Sequence, residues 1–220
     1  MPVSQTNTTP KRGRPPTASN RNVWEDLLAA GERLLADKSP YDLTQRELAL
    51  SAGTTDAMIQ YYFGSKESLL LELLKRAVEE IVRGLIKLEA EILTVEGNPT
   101  RHFVSTVNDL YYAHIASTRI WAAEYGRFDS KIRDAYVTRN ATKTSQRICR
   151  IMKLLIEQGT YDKNVNLDLA SFTMTSLILS PIWSAAVLPS RGLSNDKFTS
   201  EEWIDHVTSI MDGLLRPQRS

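Results

Sequence analysis

The chain has 220 residues, of which 42% are hydrophobic and 24% charged, and its formal net charge is +1. This composition is ordinary for a globular protein with a sizeable core, and any attraction to nucleic acid must come from locally concentrated charge. The single cysteine, Cys149, excludes a disulfide framework and a multi-cysteine zinc site. With no apolar signal-peptide core, the sequence favours a cytoplasmic protein.

Residues 1–19 are rich in proline, threonine and serine without apolar periodicity, which is typical of a segment that is disordered in isolation. Within them, segment 11–16 is basic and contains Arg12 and Arg14. One interpretation is a solubilising tail. The other is an arm in the narrow minor groove of A·T-rich DNA, whose potential attracts guanidinium groups. The helix-turn-helix pattern that follows this segment in the chain favours the interpretation as a DNA-binding arm.

A first helix is predicted over 20–37, with Trp24 in its buried stripe rather than on a contact surface. Thr44 followed by Glu47 is the pattern of a capping box, and it predicts a short helix that Gly53 ends. Thr55 can then cap a second helix. Two short helices joined by a glycine-containing turn, here over 44–63, are typical of a helix-turn-helix, whose second helix enters the major groove.

The rest of the chain has helical spacing and no useful strand pattern. Ser65 can cap a helix that reaches about residue 93, and Asn98 with Pro99 begins another over 99–117. Further helices are predicted over 119–125, 130–158, 167–188 and 200–215. The uncharged stretch 169–188 has the length of a membrane span, but its hydroxyl residues favour a buried interface helix, so no membrane contact is expected.

Residues 61–70 read YYFGSKESLL, which resembles the signature of the TetR/AcrR family of bacterial transcriptional regulators; the resemblance covers about residues 20–75. It implies an all-α fold of about nine helices. A flexible basic arm (1–19) would precede a three-helix DNA-binding domain (20–75) and a helical domain for ligand binding and dimerisation (76–220). The implied function is a sequence-specific regulator, expected to be a repressor that a small ligand releases from its operator.

Specific residues follow from the motif. Gln60 can pair bidentately with adenine, Met58 can contact a thymine methyl, and Asp56 either complements the helix dipole or accepts from cytosine. Of Tyr61 and Tyr62, one is expected at the interface and one partly in the core. The predicted DNA contacts are Arg12 and Arg14 of the arm; Thr44, Arg46, Tyr62 and Lys66 towards phosphates; and Thr54, Thr55, Gln60 and Tyr61 at the groove.

Such a small DNA-binding unit usually works as a homodimer on a palindromic operator. The apolar residues that suit the dimer interface are Leu177, Ile178, Ile182, Trp183, Trp203, Val207, Ile210, Met211 and Leu214, although their spacing is equally that of intramolecular core. A pocket for a small apolar or aromatic ligand is expected around residues that are individually also compatible with core: Phe103, Tyr111, Tyr112, His114, Trp121, Tyr125, Phe128, Met152 and Phe172.

Other classes have less support. The three histidines lie in no metal-spaced motif, and neither a phosphate-binding glycine loop nor a nucleophile elbow occurs, so we expect no enzyme, metal or cofactor. Two alternatives stay open. One is a helix-turn-helix regulator without a small ligand, controlled by a protein partner; the other is a helical adaptor that does not bind DNA.

Overall fold

The structure is a computed structural model that describes residues 22–125, 127–139, 141–184 and 194–217. Within these ranges all regular structure is helical, which confirms the all-α prediction, with ten α-helices instead of about nine. They are α1 (Val23–Leu35), α2 (Gln45–Ser51), α3 (Asp56–Phe63), α4 (Lys66–Glu91), α5 (Pro99–Ala113), α6 (Ile115–Tyr125), α7 (Lys131–Arg139), α8 (Ala141–Glu157), α9 (Leu167–Trp183) and α10 (Glu201–Leu215), with a 3₁₀ helix at Asn195–Thr199.

Helix starts follow the local capping chemistry. The Ser65 hydroxyl accepts from the Ser68 amide at 3.1 Å to begin α4. The Asn98 side chain accepts from the Thr100 amide at 2.9 Å, and Pro99 takes the first position of α5. These side chains satisfy amides that have no partner inside the helix, so the predicted starts are confirmed.

One helical prediction needs adjustment. The single helix expected over 130–158 is described as α7 and α8, on either side of residue 140, which lies outside the described residues. The uncharged stretch is α9, and no helix in the described ranges has the length and hydropathy needed to cross a membrane.

Buried apolar side chains form two clusters. The N-terminal core joins α1, α2, α3 and the first half of α4, and also takes in Ala116 and Ile120 of α6 and Ile132 of α7. The C-terminal core joins the second half of α4 to α5, α8, α9 and α10. Helix α4 therefore belongs to both, with Leu69 and Leu73 in the first and Leu85 and Leu88 in the second.

Gly84 lies at a close contact between α4 and α5. A Cβ at this position would overlap the side chain of Leu110. We expect Gly84→Ala to lower the free energy of unfolding, because overpacking costs about 1–3 kcal/mol whereas alanine gains at most about 1 kcal/mol over glycine in a helix. Chemical denaturation of Gly84→Ala, Leu110→Ala and the double variant measures this. The double variant should be more stable than the sum of the single losses predicts; a stabilised Gly84→Ala would contradict the close contact.

Candidate nucleic-acid interface and ligand cavity

The capping box of α2 is formed as predicted. Thr44 Oγ1 accepts from the Glu47 amide at 3.1 Å, and Glu47 Oε2 accepts from the Thr44 amide at 3.0 Å. The Thr44 hydroxyl also donates to Glu47 Oε2 at 3.1 Å. Its proton is thus engaged within the chain, and the predicted phosphate contact by this hydroxyl would require that bond to break.

Helix α3 presents one polar side to solvent. Ile59 is buried in the N-terminal core, whereas Thr55, Gln60 and Tyr61 are exposed and Thr54 is half-buried. The Thr55 side chain makes no capping bond, so its hydroxyl is available at the start of the helix. This surface carries donors and acceptors of the kind that read base edges.

The two tyrosines do not divide as predicted, because neither lies in the core. Tyr61 is 75% exposed and Tyr62 42%, and their rings meet edge to face with centroids 4.9 Å apart. Phe63 instead packs against the N-terminal core and stacks on Trp24, with ring centroids 5.9 Å apart. Trp24 also packs against that core, in agreement with its place in the apolar stripe.

Two residues that were predicted to contact DNA make contacts within the chain. Met58 is half-buried and packs against the N-terminal core instead of facing the groove. The Lys66 ammonium donates to the carbonyls of Leu43 at 2.7 Å and Pro40 at 3.1 Å. Lys66 therefore ties the α1–α2 loop to the start of α4, and a phosphate contact by its ammonium stays a prediction.

Arg46 is exposed in the first turn of α2 and is the one basic residue between positions 44 and 65. Arg12 and Arg14 lie outside the described residues. Arg33, by contrast, donates to the Ser51 carbonyl at 3.1 Å and ties α1 to the end of α2. Local positive charge at the helix-turn-helix is therefore sparse.

A cavity of about 180 Å³ lies among α5, α6, α7, α8 and α9. Four of the predicted pocket residues line it, namely Tyr111, Trp121, Tyr125 and Phe172. Aromatic contacts build one side: Trp121 meets Tyr136 with centroids 4.5 Å apart, and Tyr125 stacks on Trp183 at 5.4 Å. The lining residues that sequence reasoning did not assign to the pocket are Tyr136, Thr144, Ser145, Ile148, Thr175, Ser176, Leu179 and Trp183.

The other five predicted pocket residues lie elsewhere. Phe103 and Met152 are fully buried in the C-terminal core, and Phe128 is fully exposed between α6 and α7. Tyr112 is half-buried away from this lining. His114 caps the end of α5 and borders a separate polar depression. Aromatic content identified the region, but only packing decides which side chains face a void.

Four of the nine residues predicted for the dimer interface are covered within the chain. Ile178, Ile182, Val207 and Met211 are buried within the chain itself, so a contact with a second copy through them stays a prediction. Trp183 forms part of the cavity lining. The residues that keep some exposure are Leu177, Trp203 and Ile210, which are half-buried, and Trp183 and Leu214, which are exposed.

Comparison with known proteins assigns the N-terminal region. Residues 27–73 match the family described as bacterial regulatory proteins, tetR family. The chain is 32% identical over 110 residues to the HTH-type transcriptional regulator EthR of Mycobacterium tuberculosis and of Mycobacterium bovis, covering 50% of this chain and 50% of the relative. The chain thus spans about half the length of the curated relatives it matches.

Solved structures match most of the chain at low sequence identity, and so show the fold alone. The ketosteroid transcriptional regulator KstR2 of Mycobacterium tuberculosis gives a TM-score of 0.64 at 18% identity, covering 91% of this chain and 98% of that one. The regulator FadR of Bacillus subtilis, solved with stearoyl-CoA, gives 0.63 at 16% identity, covering 89% and 100%.

Glu47 gives the helix-turn-helix a defined acid response. The Lys38 ammonium 2.6 Å away, and then the hydrogen bonds from Thr44, lower the pKa of Glu47 from 4.5 to about 2. The stabilising contribution of the carboxylate is therefore complete above about pH 4.5 and is lost as pH falls towards 2. We expect Glu47→Gln to lower the melting temperature near neutral pH and to flatten its fall over this acid range. Circular dichroism melts at stepped pH measure it, with Glu67→Gln, an exposed first-turn glutamate of α4, as control; an unchanged acid profile would contradict the assignment.

Proposed function

From the match of residues 27–73 to the tetR family of bacterial regulatory proteins and the similarity to EthR, we propose that the chain is a TetR-family, sequence-specific transcriptional repressor that a small-molecule ligand releases from DNA. The relatives are transcriptional regulators and not enzymes. The observation that carries the proposal is the α2–α3 pair, in which α2 begins with a formed capping box and α3 has a polar, solvent-exposed side.

DNA recognition divides into base reading and phosphate contact. Gln60 and Tyr61 are exposed on α3 and supply the base-reading groups, with the free Thr55 hydroxyl at the start of the helix. Arg46 and Tyr62 flank this side and suit the phosphates. The arm containing Arg12 and Arg14 would add minor-groove contacts.

Dimerisation would place two such units on a palindromic operator. The surface we propose for it uses the exposed residues of α9 and α10 rather than their buried stripes. Leu214 is 63% exposed, and Leu177 and Ile210 are half-exposed on the same pair of helices. A second copy would cover apolar surface that the single chain leaves in water.

Helix α6 supports the proposal that the cavity controls the DNA-binding unit. Trp121 of α6 lines the cavity and also packs against the N-terminal core. On the same helix, the Ala123 carbonyl accepts a hydrogen bond of 2.8 Å from the Tyr41 hydroxyl, and Tyr41 lies in the loop between α1 and α2. A ligand that moves α6 would therefore move the support of the helix-turn-helix.

The contact around Tyr41 is built from several interactions. The Arg127 guanidinium lies 5.3 Å from the centre of the Tyr41 ring. Arg127 also faces Glu124 at 3.7 Å, and Glu124, itself buried, accepts a short hydrogen bond from Ser130 at 2.5 Å. Burial raises the pKa of Tyr41, so the hydroxyl stays protonated as a donor at neutral pH.

Selection of bound DNA from a random pool, with and without ligand, tests the proposal. Recovery of a palindrome would support the symmetric dimer, and its loss on addition of ligands found by thermal-shift screening would support release. A palindrome that no ligand affects would favour a regulator controlled by a protein partner. Failure to enrich any sequence would favour the helical adaptor and overturn the proposal.

Substitutions at Gln60 and Arg46 separate base reading from phosphate contact. We expect Gln60→Ala to cost about 1–3 kcal/mol on the selected operator and to relax the preference at one base pair. Arg46→Ala should weaken all sequences alike and reduce the salt slope of binding by about one unit. Fluorescence anisotropy over a salt series, on operators changed one base pair at a time, measures both. Equal losses of Gln60→Ala on every operator would contradict base reading.

Tyr41→Phe tests the link between the cavity and the DNA-binding unit. Loss of the bond to Ala123 should leave operator binding near the wild-type level without ligand but reduce the ligand's effect, since coupling energies of about 1–3 kcal/mol rest on such contacts. Tyr161→Phe is the matched control, because that phenol is buried in the C-terminal core. Operator affinity with and without ligand is measured for all three proteins. A full ligand response in Tyr41→Phe would show that the hydrogen bond between Tyr41 and Ala123 does not couple the cavity to the DNA-binding unit.

A further inference from the structure

The side of α3 that faces away from the N-terminal core has an apolar centre. Ala57 and Tyr61 lie two positions on either side of the buried Ile59. A helix turns by about 100° per residue, so both project from the side of α3 opposite Ile59. Tyr61 is 75% exposed, and Ala57 is exposed as well. Residues four positions apart are neighbours on a helix surface, so a methyl group and an aromatic ring form a small apolar area in solvent.

The methyl group of Ala57 is available for a contact outside the chain. Ala57 belongs to neither of the two hydrophobic cores of the described residues. Met58, which the sequence had suggested for a thymine contact, is half-buried and packs against the N-terminal core. An alanine methyl group makes the kind of apolar contact that recognises the C5-methyl group of thymine in the major groove. On the outer side of α3, Ala57 is therefore better placed for this contact than Met58.

The polar side chains of α3 carry no positive charge. Residues 54–63 are all described by the structure and contain no lysine, arginine or histidine. Arginine and lysine make the commonest specific contacts to guanine, through its O6 and N7 acceptors. The exposed Asp56 carboxylate in the first turn of α3 repels such acceptors. Gln60 is exposed and suits adenine, so α3 is equipped to read A·T pairs rather than guanine.

Ala57 and Gln60 are spaced to address base pairs that are close together. Residues three positions apart on a helix have Cβ atoms about 5–6 Å apart. Stacked base pairs are about 3.4 Å apart along the duplex. The separation between the two side chains therefore covers one or two base-pair steps.

We propose that Ala57 is a specificity-determining residue, whose methyl group packs against the C5-methyl group of a thymine within two base pairs of the adenine that Gln60 reads. Each operator half-site then carries A·T pairs beneath the centre of α3. This inference rests on the proposed function, since it names the class of DNA sequence that α3 recognises.

Deoxyuridine tests the contact, because it differs from thymidine only in lacking the C5-methyl group. Each thymine of the operator selected from the random pool is replaced by deoxyuridine, one position at a time and in both half-sites. Binding of the whole chain is then measured by fluorescence anisotropy. A replacement within two base pairs of the position that Gln60→Ala relaxes should weaken wild-type binding by about fourfold for each half-site, which is the effect of exposing one methyl-sized group.

Ala57→Gly removes the methyl group from the protein instead of the DNA. This variant should bind the thymine and deoxyuridine operators equally well, and the ratio of the two affinities is independent of any general loss of stability. Ala90→Gly is the matched control, because Ala90 is an exposed alanine of α4, where the same change costs helix stability away from α3. The control should keep the wild-type ratio.

Three outcomes would overturn the inference and leave the proposed function standing, because the operator is still bound in each. They are an operator without a deoxyuridine-sensitive thymine in this window, a sensitivity that persists in Ala57→Gly, and a sensitivity that disappears in Ala90→Gly. Failure of the wild type to enrich any DNA sequence is a different result, which would overturn the proposed function and the inference with it.

Discussion

Helix α4 is one continuous segment of 26 residues whose two halves are buried in different hydrophobic cores. Each fully buried leucine, such as Leu69 at one end and Leu88 at the other, contributes about 1.5–3 kcal/mol relative to exposure. Neither half can therefore leave its core cheaply. The helix spans about 39 Å at 1.5 Å per residue, so a change in its direction within the C-terminal core must displace the α1–α3 unit at the other end.

Helix α6 provides a second connection between the same two regions. Ala116 and Ile120 of α6 are part of the N-terminal core, and the Ser117 hydroxyl donates to the Leu73 carbonyl of α4 at 3.2 Å. Trp121 and Tyr125 on the same helix line the cavity. Because α6 contacts the cavity, α4 and the α1–α2 loop at once, the proposed ligand would alter DNA affinity by favouring one arrangement of these contacts over another.

What the sequence predicted well depends on residues close together in the chain. The capping box of Thr44 and Glu47 and the start of α5 at Asn98 and Pro99 involve neighbours within three positions, so residue type and spacing suffice. Residue type and spacing did not predict which partner a buried side chain contacts. An apolar residue such as Ile178 has the same spacing whether it faces its own core or a second copy, and Lys66 was assigned to DNA although its ammonium finds carbonyls 23 and 26 residues away.

The use of basic side chains inside the N-terminal unit constrains the DNA binding that we propose for it. Lys38 pairs with Glu47, Lys66 and Arg33 bind carbonyls, and Arg76 forms a bidentate pair with Glu25 at 2.7 and 2.8 Å. Charges held in this way stabilise the fold but are poorly available to release counterions from phosphates. Under the proposed function, the helix-turn-helix would then obtain much of its discrimination between DNA sequences from uncharged groups on α3. This division favours a protein whose affinity depends on sequence more than on salt, and it makes the basic segment 11–16 the natural source of additional phosphate attraction.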